Sequence, residues 1–164
     1  MRTAVIVLFA TLASSSFACE VPPSEQYVAP DELISRTETV ALAKVVRAEV
    51  TENGFEVLYT FQTTKRLKGA PLIQFQILGY PLIWEGENRR FNDHFDATFW
   101  TNSAGRLAND TDCRIHPTFS VGGTYLVFLD QPYHVKSFEI ITRSQGSADE
   151  KDKWLQYVES RIGP

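Results

Sequence analysis

Sulfur and imidazole are scarce in this chain of 164 residues, which has two cysteines, one methionine and three histidines. The cysteines, Cys19 and Cys113, form no C-x-x-C pair, and structural zinc requires four ligands, so a zinc-stapled module is excluded. No G-x-S-x-G, H-E-x-x-H or glycine-rich phosphate loop occurs. Hydrolase and nucleotide-binding chemistry therefore lack residues to carry them, and the chain reads as a non-enzyme without a cofactor or a resident metal. Basic residues are outnumbered, 16 against 20 acidic, which is the wrong sign for a phosphate-seeking surface and argues against nucleic acid as a partner. Nor is there an apolar run near the roughly 20 residues that a membrane-spanning helix needs.

What is present is a folded, exported chain. Hydrophobic residues make up 43%, charged 22% and aromatic 12%, a balance too apolar for disorder. Met1 and Arg2 precede an uncharged apolar run from Ala4 to Leu12, and residues 14–18 are mostly small, ending at Ala18. This pattern is a secretory signal peptide over residues 1–18, leaving residues 19–164 as one secreted or periplasmic domain. Removing Arg2 leaves 15 basic against 20 acidic side chains, a charge near −5. Cleavage after Ala18 makes Cys19 the first residue, and the alternative is the acylated cysteine of a lipid-anchored envelope protein. In an oxidising compartment two cysteines allow one intramolecular pairing, Cys19 to Cys113. Such a bond closes a loop worth roughly 4 to 5 kcal/mol of unfolded-state entropy. Two separate thiols or a lipidated Cys19 are the other outcomes.

Proline-rich residues 21–30 are expected to be extended, and Pro30-Asp31-Glu32 opens a short helix through about Arg36, with acids at its positive end. Alternation and β-branching predict strand one over residues 39–50, and Asn53-Gly54 marks a hairpin. Phe55, Val57, Tyr59, Phe61 and Thr63 share one face of strand two, residues 65–69 form a basic turn, and residues 72–78 form strand three. From 80 to about 112 no period is sustained, which marks an insertion held by aromatic anchors. The unbroken run of residues 124–129 is a buried strand with 138–142 as its partner. Ser147 to Glu150 reads as a capping box ahead of a helix burying Trp154, Leu155, Val158 and Ile162, with Gly163-Pro164 as its stop. Five strands with a short N-terminal and a C-terminal helix make the class mainly β, and a small closed or partly open barrel removes the exposed edges of a flat sheet.

Three segments carry a resemblance. They are Cys19-Glu20-Val21-Pro22-Pro23, Thr60-Phe61 leading into Arg66-Leu67-Lys68-Gly69, and Phe119-Ser120-Val121-Gly122-Gly123-Thr124-Tyr125-Leu126-Val127-Phe128. In order and spacing they are similar to the netrin-like family, and more narrowly to bacterial relatives of tissue inhibitors of metalloproteinases. The resemblance implies an oligonucleotide/oligosaccharide-binding (OB) type barrel. It also implies a protein partner, a zinc metalloprotease, whose catalytic zinc is clamped by the α-amino nitrogen and carbonyl oxygen of Cys19. Glu20, Val21, Pro22 and Pro23 would form the ridge entering the cleft, stiffened by the two prolines. The animal inhibitors begin Cys-x-Cys, whereas the second cysteine is absent here and Glu20 occupies the position aimed at the specificity pocket.

A second class of function is a non-inhibitory binding module that uses Trp84 and Trp100, with Phe91, Phe95 and Phe99, as an aromatic platform for protein or glycan; rings capping the barrel end are the plainer reading. Asp93-His94-Phe95-Asp96 with His116 and His134 offers metal-type donors but no ligand spacing, so no metal site is assigned. The chain is expected to be a monomer.

Overall fold

The computed structural model describes residues 28–81, 117–132, 134–141 and 151–163. Helix α1 (Pro30–Arg36) leads into strands β1 (Val40–Val50), β2 (Val57–Lys68) and β3 (Gln74–Gly79). After the insertion come β4 (Thr124–Phe128), β5 (Phe138–Ile140) and helix α2 (Lys153–Ile162). All pairings are antiparallel, in the order β3-β2-β1-β4-β5. The class is therefore mainly β, with a five-stranded sheet and two helices. The expected barrel is not closed by strand pairing: among the described residues the edge strands β3 and β5 share no ladder.

Both sheet faces are covered where β4 runs, which explains why its sequence is continuously apolar rather than alternating. On one face Tyr125 and Val127 join Ala43, Val45, Val57, Tyr59, Phe61 and Phe138 around Phe119. The Phe119 ring meets Tyr59, Phe61, Tyr125 and Phe138 at 5.0, 4.9, 5.0 and 5.7 Å, each near perpendicular. Edge-to-face contacts of this kind set each positive ring edge against a negative ring face. On the other face Leu126 and Phe128 pack with Val40 against Leu33 and Ile34 of α1 and Trp154 and Val158 of α2.

The helices are tied to the sheet and to each other by polar contacts. Lys68 Nζ donates to the carbonyls of Ile34 and Ser35 at 2.8 and 2.9 Å, satisfying the C-terminal end of α1. Asp31 Oδ1 accepts from Tyr157 Oη at 2.6 Å and from Arg161 Nε at 2.9 Å, joining α1 to α2.

Three sequence expectations are corrected. Residues 65–68 are not a turn, because the β2 ladder continues to Lys68, which pairs with Val40. Phe55 does not face the core but is 78% exposed in the hairpin loop, where Asn53 Oδ1 accepts from the Phe55 and Glu56 amides and delays β2 to Val57. Helix α2 begins at Lys153 under an Asp152 cap, whose Oδ1 accepts from Leu155 N at 3.0 Å. The expected capping box at residues 147–150 lies outside the described residues.

Candidate functional site

Val28, the first described residue, is held firmly in the fold. Val28 is buried against the helix-side core, and its carbonyl oxygen lies 2.9 Å from His134 Nε2. Ala29 then caps α1, with Pro30 in its first turn. His134 sits on the β4–β5 connection, which folds back through successive turns. Gln131 N donates to Phe128 O, His134 N to Gln131 O and Ser137 N to His134 O. The Ser137 hydroxyl adds a bond to Gln131 O. Asp130 clamps the α1–β1 corner onto the same connection, accepting from Glu38 N at 2.8 Å and Thr39 N at 3.0 Å. Burial pushes the Asp130 carboxyl up, but these backbone donors outweigh it and hold it below the usual carboxylate range.

The partners of His134 fix its tautomer. Lys136 N–H donates to Nδ1 at 3.1 Å, so that nitrogen must offer a lone pair, and the proton resides on Nε2, aimed at Val28 O. A second proton on Nδ1 would face the Lys136 amide. Burial accordingly drives the His134 pKa down to about 4, helped by the charges of Lys136 and Arg36 and opposed by the Val28 bond. Lys136 is itself fully buried, which lowers its ammonium to about 8 while the Glu139 carboxylate pulls it back up.

The pH consequence follows from the sign of the His134 shift. Its folded pKa is below the ordinary value of 6.5, so its contribution is complete above pH 6.5 and is lost as pH falls toward 4. We expect about 3 kcal/mol of stability to disappear over that interval. Guanidinium unfolding of the parent and His134→Gln at pH 7, 5.5 and 4 checks this, the variant having the flatter dependence. Equal dependence in both would contradict it. The depressed carboxyl of Asp130 begins to lose its contribution only as pH falls toward the ordinary carboxylate value of 3.8, at the lower edge of this window, and it does so in parent and variant alike.

The second landmark is the exit of β3. Tyr80 N–H donates to Pro117 O at 3.0 Å, and Tyr59 Oη donates to Tyr80 O at 2.7 Å. A Cβ at Gly79 would collide with the Pro117 carbonyl, so the close approach of residues 79 and 117 requires glycine. Residues 79–80 and 117 are thereby held together beside the aromatic core.

Of the residues singled out in the sequence, Cys19, Glu20, Val21, Pro22, Pro23, Cys113, Trp84 and Trp100 lie outside the described residues, as do Asp93, His94, Asp96 and His116. His134 is described, and it is no metal donor: it is 1% exposed and both ring nitrogens are engaged by the backbone. Among the described residues no group of three or more His, Cys, Asp or Glu side chains could hold a metal ion, and no helix is long and apolar enough to cross a membrane. The anchoring roles of His134, Asp130 and Lys136 were not recognised from sequence. A signal existed in the interruption of two apolar runs by Asp130, His134 and Lys136, because charged side chains between buried strands need partners. Compared with known proteins, the chain matches no family model, and no curated protein or solved structure is significantly similar to it.

Proposed function

We propose that this is an exported protein-binding domain that presents its N-terminal segment to a zinc metalloprotease. The observation that carries this reading is the fixed base of that segment, where Val28 is buried and bonded to His134. Nine residues, Cys19 to Tyr27, precede that base, an extended reach of about 30 Å. A ridge on a fixed base loses less freedom on binding than a free tail, so more of its contact energy appears as affinity. The Cys19 α-amino nitrogen and carbonyl oxygen chelate the partner's zinc. An α-amino group has an ordinary pKa near 7.7 to 8.0, so a neutral fraction exists at pH 7 and metal binding enlarges it. The disulfide to Cys113 ties the first residue to the end of the insertion.

We also propose that the sheet curls into an OB-type barrel. Phe119 filling the space among β2, β4 and β5, and the Tyr80 to Pro117 bond tying the exit of β3 to the segment that feeds β4, support an OB-type barrel whose interior is the aromatic cluster.

Glu20 places a carboxylate where a protease pocket is apolar, and an unpaired charge there opposes binding. Glu20→Gly is expected to tighten inhibition by about 5- to 150-fold, the equivalent of about 1 to 3 kcal/mol. Titration of zinc proteases with the mature protein, followed by cleavage of a fluorogenic peptide, is the measurement. No inhibition by either form across the panel would overturn the proposal.

A further inference from the structure

Beyond that function, we propose that the free half of β1 is a self-complementary edge through which two copies of this chain pair. Strand β4 pairs only with Val40–Lys44, and the last contacts on that side are Val45 N to Gly123 O and Gly122 N to Val45 O. Among the described residues no strand pairs with β1 on that side from Val46 to Val50, while β2 covers the opposite side. The side chains there are open to solvent, with Val46 42% and Val50 66% exposed. Thr51 N donates across the hairpin to Glu56 O. A register shift at Val46, between Val45 opposite Phe61 and Arg47 opposite Thr60, resets the alternation, so counted back from Thr51 the main-chain groups of Glu49 and Arg47 face β2, and those of Val50 and Ala48 point outward. A row of main-chain groups without a partner strand among the described residues is a template for another strand.

The occupant is identified by the sequence of the edge, Val46-Arg47-Ala48-Glu49-Val50. Two copies laid antiparallel about Ala48 set Ala48 opposite Ala48 and Val46 opposite Val50. The same register sets Arg47 of each copy opposite Glu49 of the other. Ala48 falls at a hydrogen-bonded position, where its outward N–H and C=O are exchanged with its counterpart. Arg47 and Glu49 fall at non-hydrogen-bonded positions, where cross-strand side chains come closest. Within one copy Arg47 Nη2 already bonds Glu49 Oε1 at 2.6 Å on the outer sheet face, so pairing yields four charges of alternating sign. A one-residue slip would lose both the charge match and the hydrogen-bond register, so the edge selects its own copy over an arbitrary strand. Five residues a side is a small interface, which makes the dimer weak and concentration-dependent rather than obligate. The monomer expected from sequence is then the dilute species.

Sedimentation velocity of the full mature protein from about 10 μM to about 1 mM, the range suited to a small interface, provides the test. The parent is expected to dimerise across this range. Arg47→Glu and Glu49→Arg each put like charges opposite and are expected to weaken the dimer at least about tenfold. The double variant, and an equimolar mixture of the two single variants, restore opposite charges and are expected to recover it. All three variants change exposed side chains, and unchanged thermal unfolding confirms that they fold. A parent that stays monomeric at the highest concentration would overturn the proposal. So would single variants that dimerise as the parent does, or a double variant that fails to recover.

Discussion

Phe128→Ala will lower the unfolding free energy by about 3 to 5 kcal/mol, a large share of the stability of a domain this size. Phe128 is fully buried at the end of β4, with its ring centroid 6.2 Å from that of Trp154. Its neighbours come from four elements: Val40 in β1, Leu126 in β4, Leu33 and Ile34 in α1, and Trp154 and Val158 in α2. Removing the ring forfeits its transfer free energy and leaves a cavity, and the second term depends on how far those neighbours can collapse. Here they are held. Lys68 fastens the end of α1, Asp31 joins α1 to Tyr157 and Arg161 of α2, and Asp130 pins the link between α1 and β1. Restricted collapse places the loss toward the upper part of the range. Chemical denaturation monitored through tryptophan fluorescence gives the value, and a midpoint unchanged from the parent would remove this segment from the core.

The same residue illustrates what was legible in the sequence. The run of residues 124–128 could be read as a buried strand because both of its faces meet apolar layers, so every position is constrained by burial. The Asn53-Gly54 turn and the proline at the start of α1 were likewise set by local chemistry, and both stand where expected. Errors arose where a hydrogen-bonding partner outside the hydrophobic pattern decides the outcome, whether distant or local. Lys65 to Lys68 have the composition of a surface turn, yet β1 supplies a ladder for them and the α1 carbonyls supply acceptors for Lys68. Phe55 has strand character, but the Asn53 carboxamide captures the two amides that would have extended β2. His134 carries no metal-ligand spacing in the sequence, and nothing local identifies its partner. Only the fold reveals that the carbonyl of Val28, 106 positions earlier in the chain, accepts the hydrogen bond that His134 Nε2–H donates.

That long-range bond links the fold to the proposed function. Mutual support among His134, Val28 and the Asp130 corner fixes Val28, as the proposed inhibition through Cys19 would require of the base of the N-terminal segment. An alanine placed ahead of Cys19 leaves this base and both cores intact while moving the α-amino nitrogen one residue away, by about 3.3 to 3.6 Å. The displaced amine can no longer share a five-membered chelate with the Cys19 carbonyl. Zinc coordination tolerates only a few tenths of an ångström, and misplacement on this scale is worth about 100-fold or more. The Cys19 clamp is therefore tested most directly by inhibition constants of the native and alanine-extended mature proteins against the same zinc protease. The expected result is a loss of at least about 100-fold on extension, with an unchanged denaturation midpoint. Equal inhibition by the two proteins, or inhibition by neither, would contradict the clamp.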